Sequence, residues 1–130
     1  AEEGGATHLV VHARTKVEMY QRPAHWDYIR RMKQNRQIPI LANGDIWSVD
    51  DYEKCRAAAG VDRVALGRGV VRRPTLAQEI RNPQFQVESF DDVDFLNRFA
   101  EGSLHARGEA FAIARIKQLL RYWSENGERH

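Results

Sequence analysis

Ile38-Pro39-Ile40-Leu41-Ala42-Asn43-Gly44-Asp45 is a short apolar run that stops abruptly on an amide, a glycine and a carboxylate. A strand buried on both faces of a parallel sheet reads as such a run, without the alternation of a half-exposed strand. The same grammar flanks it. Upstream, Leu9-Val10-Val11 runs into His12-Ala13-Arg14-Thr15, and downstream Val64-Ala65-Leu66 runs into Gly67-Arg68-Gly69. Helically patterned stretches lie between, so the chain reads as consecutive β/α units. Loops at the carboxyl ends of parallel strands build the site of such folds. Three strands ending this way predict one composite site.

Working outward, strands are expected at 8–12, from about residue 38 with Pro39 at a tolerated strand start, and at 61–66. A long loop covers 13–24. Residues 25–36 have helical spacing, with Trp26, Ile29, Met32 and Lys33 inward and Arg30, Arg31 and Gln34 outward. Ser48 with Asp51 three residues on opens a helix over 49–59, and Gly60 ends it. A short helix is expected near 70–80, with Pro74 near its start. After Asn82-Pro83 the rhythm stops. Two helices follow, over 91–102 and 106–124. The second has an inward stripe of Phe111, Ile113, Ala114, Ile116, Leu119, Leu120 and Trp123. The domain boundary falls near 83–90, separating 1–83 from 84–130. Residues 125–130 read as a frayed end. At the start, Ala1-Glu2-Glu3 before Gly4-Gly5 reads as the last turn of a helix and its glycine stop, and so as part of a longer protein.

Composition narrows the class. The 130 residues are 42% hydrophobic and 29% charged, as in ordinary globular domains. The net charge of +2 says little about partners. Its distribution says more: Arg30, Arg31, Lys33 and Arg36 form one basic set, and Arg107, Arg115, Lys117 and Arg121 another. No stretch approaches the ~20 apolar residues of a membrane span. A lone Cys55 excludes an internal disulfide and fits a reducing, cytoplasmic setting.

Gly67-Arg68-Gly69 is the strongest local signal. Glycines let backbone approach a ligand, the following helix offers unpaired N–H groups, and Arg68 adds planar donors suited to phosphate. The other reading is a tight turn with a solvated arginine. Asn43 and Asp45 around Gly44 suit hydroxyls, although Asn-Gly is also a common plain turn. His12 and Arg14 lie two residues apart at a strand end, where a neutral imidazole could donate to an anionic ligand and arginine could clamp it. No dinucleotide or P-loop glycine motif is present, and His12, His25 and His105 lack metal-ligand spacing.

Taken in order, His12-Ala13-Arg14-Thr15, Trp26-Asp27, Pro39 to Ile46 and Gly67-Arg68-Gly69 resemble the bacterial tRNA-dihydrouridine synthases. The stretch Ala114-Arg115-Ile116-Lys117-Gln118-Leu119-Leu120 is similar to their C-terminal helical domain, most of all in the DusC type. The resemblance implies an α/β fold, namely the C-terminal part of an FMN-binding TIM (β/α)8 barrel, about three βα units, followed by part of a helical tRNA-recognition domain. It implies reduction of selected tRNA uridines to 5,6-dihydrouridine, with FMN as cofactor and NADPH as reductant. It further implies that His12 contacts the flavin, that Asn43, Gly44 and Asp45 hold its ribityl–phosphate region, and that Gly67 and Arg68 bind its phosphate. Arg14 would face flavin or uracil, and Arg115, Lys117 and Arg121 would meet tRNA. Ala13 departs from the family's usual glycine.

The family's catalytic cysteine, a general acid in a Cys-Pro-Ser loop, and a flavin-contacting lysine belong to the earlier half of the barrel. Neither is in this chain, and Cys55 fits no catalytic motif. Three strands do not close an eight-strand barrel. The chain alone is therefore expected to be inactive. Its strand faces, with Leu9, Val11, Ile40, Ala42, Val64 and Leu66, would need the rest of the barrel or self-association through an open sheet edge. Two other readings remain: a flavin- or phosphate-binding barrel oxidoreductase acting on a small metabolite, and a non-catalytic RNA-binding or assembly module.

Overall fold

Three parallel strands lie in the order β1 (Leu9–His12), β2 (Ile40–Asn43), β3 (Val64–Ala65). The computed structural model describes residues 1–19, 21, 23–86 and 90–124; the expected fraying of 125–130 lies outside them. Leu9 pairs with Ile40, Val11 with Ala42, and Ala42 with Val64. Successive side chains alternate faces, so this register assigns every residue a side. One face carries Leu9, Val11, Ile40, Ala42 and Val64. It packs with Ile29 of α1 (Trp26–Lys33) and with Cys55 and Ala59 of α2 (Val49–Ala59) into the core. The expectation that these strand residues stand bare is corrected, because the two helices cover them. The more open face is the opposite one, with Val10, His12, Leu41, Asn43 and Ala65, where Val10 is 51% exposed.

Local chemistry sets the helix ends. Ser48 accepts from Asp51 N (3.1 Å), and Asp51 accepts in return from Trp47 N (3.0 Å), one residue earlier than a capping box requires. Gly60 closes α2 at φ +66. Helix α1 stops at Lys33, and Met32 is exposed, not inward. Arg30 points to neither core nor solvent alone. Its Nε donates to Ala58 O (2.8 Å) and its Nη2 to Ala57 O, while Lys33 Nζ donates to Gly60 O. Two cations of α1 thus satisfy the unpaired carbonyls at the C-terminus of α2.

The helix expected near 70–80 is broken in two, α3 (Arg68–Arg72) and α4 (Leu76–Arg81). A residue before proline is pushed out of the helical region, and Arg73, before Pro74, sits at φ −131, ψ 89. Buried Glu79 braces the break, accepting from Arg73 Nε (2.8 Å) and Thr75 Oγ1 (2.6 Å). At the chain start no helix forms. Gly5 N donates to Glu2 O and Ala6 N to Ala1 O, with Gly5 at φ +81, the bonding of a Schellman helix stop.

The chain divides into two compact units, Ala1–Gln84 and Phe85–His130. In the second, Asp91 caps α5 (Asp92–Arg107) by accepting from Val93 N and Asp94 N. Gly108, at φ +80, turns the chain into α6 (Glu109–Ser124). Phe90, Phe95 and Trp123 cluster with ring centroids 5.4–6.5 Å apart. The buried residues of α6 are Ala112, Leu119 and Trp123. Ile113, Ala114 and Leu120, expected inward, are exposed.

Candidate functional site

Parallel pairing in register puts His12, Asn43 and Ala65 in one row across the carboxyl ends of the strands. Asn43 bridges the row. Its Oδ1 lies 2.7 Å from His12 Nδ1, and its Nδ2 donates to Ala65 O at 2.7 Å. The chain then reverses through Gly44 at φ +121 and Asp45 at φ +53. A side chain at Gly44 would be strained at that φ and would also press on Ala24 (3.3 Å) and the His12 ring (3.4 Å). Trp26 Nε1 pins this turn by donating to Gly44 O at 3.0 Å.

A groove of about 180 Å³ opens beside the row. Its lining includes His12, Asn43, Asp45, Trp47, Gly67 and Arg68. Six sequence-predicted residues therefore meet at one place: His12, Asn43, Gly44, Asp45, Gly67 and Arg68. Gly69 belongs with them for a steric reason. A Cβ there would fall 2.0 Å from Ile46 O, so α3 can start against the β2 turn only as glycine. Arg68 and Arg72, one helical turn apart, stack over the Trp47 ring at 5.3 and 5.5 Å. The sequence reading passed over Trp47 and Arg72. The signal was legible: an aromatic after the strand-end turn, and two arginines at i, i+4 spacing.

Arg14 is a correction. It does not face the groove. Its side chain is fully buried and ion-paired with Asp45, itself 9% exposed. Asp45 Oδ2 also accepts from Ala24 N (3.0 Å), so the pair ties the segment after β1 to the turn after β2. Asp45 Oδ1 is buried without a partner among the described residues. Ala13 sits in the core at 4% exposure, so its methyl group is accommodated.

Arg115, Lys117 and Arg121 lie on α6 in the second unit and are all exposed. At about 100° per residue, Lys117 and Arg121 share the side of α6 opposite the buried stripe. Arg115 flanks that stripe and donates to Gln118 Oε1. The three do not form one face. Cys55 is fully buried on α2, and burial pushes its thiol up to about 11. Among the described residues, no helix is long and apolar enough to cross a membrane.

Comparison with known proteins identifies relatives of the chain. A family model described as dihydrouridine synthase matches residues 1–110. The tRNA-dihydrouridine(16) synthase of Pseudomonas putida is 42% identical over 123 residues, covering 91% of this chain and 38% of the relative. That of Shewanella oneidensis is 37% identical over 120 residues, covering 92% and 38%. That of Aquipseudomonas alcaligenes is 53% identical over 78 residues, covering 60% and 25%. The chain thus spans well under half the length of these relatives. With the family model matching most of its residues, the chain belongs to the dihydrouridine synthase family.

Proposed function

We propose that this chain forms part of the FMN site and of the tRNA-contacting surface of an enzyme that reduces uridine 16 of tRNA to 5,6-dihydrouridine, with NADPH as reductant. The observation that carries the reading is the single groove shared by the His12–Asn43–Ala65 row and Gly67-Arg68-Gly69, in a chain matched by the dihydrouridine synthase model. On this reading the sheet is the C-terminal part of a TIM barrel, and residues 84–130 are part of a helical tRNA-recognition domain working in the cytoplasm.

The residues present fit FMN. A phosphate monoester needs donors in a fixed arrangement. Gly67-Arg68-Gly69 offers a guanidinium beside backbone that the missing side chains leave approachable. Bound FMN supplies the hydride chemistry, which no side chain can. The chain's own residues position it. Arg68, steadied on Trp47, holds the phosphate end; His12 meets a polar edge of the ligand; Arg14 and Asp45 hold the turn that shapes the wall. Extruding the uridine from folded tRNA costs roughly a few kcal/mol, and Lys117 and Arg121 offset part of it by holding tRNA phosphates. Cys55 is not the proton donor to the uracil ring, because its thiol is fully buried in the core and is not part of the groove.

The test takes the complete enzyme that carries this chain, tRNA lacking dihydrouridine, FMN and NADPH. Mass spectrometry of tRNA fragments should show a gain of two hydrogens at position 16. Turnover of a small enone or quinone with no change in tRNA would overturn the reading in favour of a metabolite oxidoreductase. Tight tRNA binding by a protein without flavin would favour a non-catalytic RNA-binding module.

A further inference from the structure

We infer that Asn43 is a positioning residue that fixes the tautomer of His12, so that the ring presents an accepting Nε2 toward its ligand. The amide of Asn43 has a set orientation. A carbonyl oxygen only accepts, so the atom 2.7 Å from Ala65 O is the donating Nδ2. The atom 2.7 Å from His12 Nδ1 is then Oδ1, which also only accepts. The hydrogen between them belongs to the ring, on Nδ1. A neutral imidazole carries one N–H, so Nε2 is left with a lone pair.

The register holds the two side chains together: His12 and Asn43 are direct partners in the parallel pairing. Turning the ring over would place a carbon against Asn43 Oδ1 and forfeit the bond. His12 is exposed on the open face of the sheet and lines the groove.

The consequence concerns the ligand. Neutral His12 cannot donate to an anion, contrary to the simplest reading of a strand-end His beside an Arg. It takes a hydrogen bond from a donor: an imide N–H of a heteroaromatic ring or a hydroxyl of a polyol chain. An anionic oxygen is met only by the doubly protonated ring. The inference concerns the ligand-free ring and holds whether or not the ligand is a flavin.

The experiment is ¹⁵N NMR of the ring nitrogens of the complete, histidine-labelled protein that carries this chain, in its ligand-free form, with His12→Gln identifying the signals. In its neutral form, His12 should show protonated Nδ1 and bare Nε2. Asn43→Ala should move His12 to the Nε2–H form that free imidazole side chains prefer. Asn43→Asp, which keeps an accepting oxygen, should retain a protonated Nδ1. A wild-type His12 with Nε2–H, or a spectrum unchanged in Asn43→Ala, overturns the inference. Should Asn43→Ala fail to fold, the wild-type spectrum decides alone.

Discussion

The Arg14 guanidinium and the Asp45 carboxylate form a buried ion pair between residues that each follow a different strand. Asp45 also receives Ala24 N, so one carboxylate joins three segments. Removing one partner of such a pair leaves an uncompensated buried charge. Arg14→Met is expected to destabilise the first unit by about 3–5 kcal/mol. Urea denaturation measures it, and a loss under about 1 kcal/mol would mean that the pair acts like a solvated surface contact.

Gly69 and Gly102 should respond to alanine with opposite signs. At Gly69 the added methyl meets Ile46 O at 2.0 Å, so α3 must move. Overpacking of this kind costs about 1–3 kcal/mol, and anion binding at the groove should weaken with it. At Gly102, inside α5, an added methyl meets nothing within 4 Å. Alanine there should stabilise by about 0.5–1 kcal/mol through the unfolded chain. Thermal melts of the two variants give the comparison.

Arg68→Ala in the complete enzyme should weaken FMN binding. A lost charge-assisted contact is worth about 1.5–3 kcal/mol, or roughly tenfold to a hundredfold. Fluorescence titration of the apoprotein with FMN reads it. Undiminished flavin affinity would remove Arg68 from the phosphate site.

Lys117 and Arg121 share one side of α6, whereas Arg115 does not. Lys117→Ala combined with Arg121→Ala should weaken tRNA binding and reduce its salt dependence by about one or two counterions, with the flavin spectrum unchanged. Filter binding over a range of salt is the measurement. An unaltered slope would make this side of α6 a solvated surface only.

The Cys55 thiol makes stability depend on alkaline pH. Its ordinary value is 9.0, and burial in the folded protein raises it to about 11. The folded state therefore holds the proton longer than the unfolded chain. The contribution is whole below about pH 9 and is lost as pH rises through about 11. The stability advantage of wild type over Cys55→Ala, measured in urea, should shrink between pH 8 and pH 11. A difference that stays constant would show that the thiol does not titrate on unfolding.

Local signals were legible in the sequence and long-range ones were not. Ser48 and Gly60 marked the ends of α2 because caps act within a few residues. The three strand ends were recognised from apolar runs, and their residues do meet in one groove. The split at Pro74 was written in Arg73-Pro74 but was read as a helix start. On α6 the apolar set was too broad: residues all round the helix are apolar, and only packing selects Ala112, Leu119 and Trp123. Arg14 illustrates the limit. Its type suggested a ligand clamp, but its partner lies 31 residues away, and only the strand register brings Asp45 to it.

The grip of Arg30 and Lys33 on the end of α2 has a consequence for local opening. Helix α1 has eight residues, fewer than an isolated helix needs to persist in water. If α1 lifts, α2 loses the donors on its last carbonyls and the packing of Ile29 at once. The two helices should therefore unravel together, and their amide hydrogens should exchange with solvent deuterium at one shared rate.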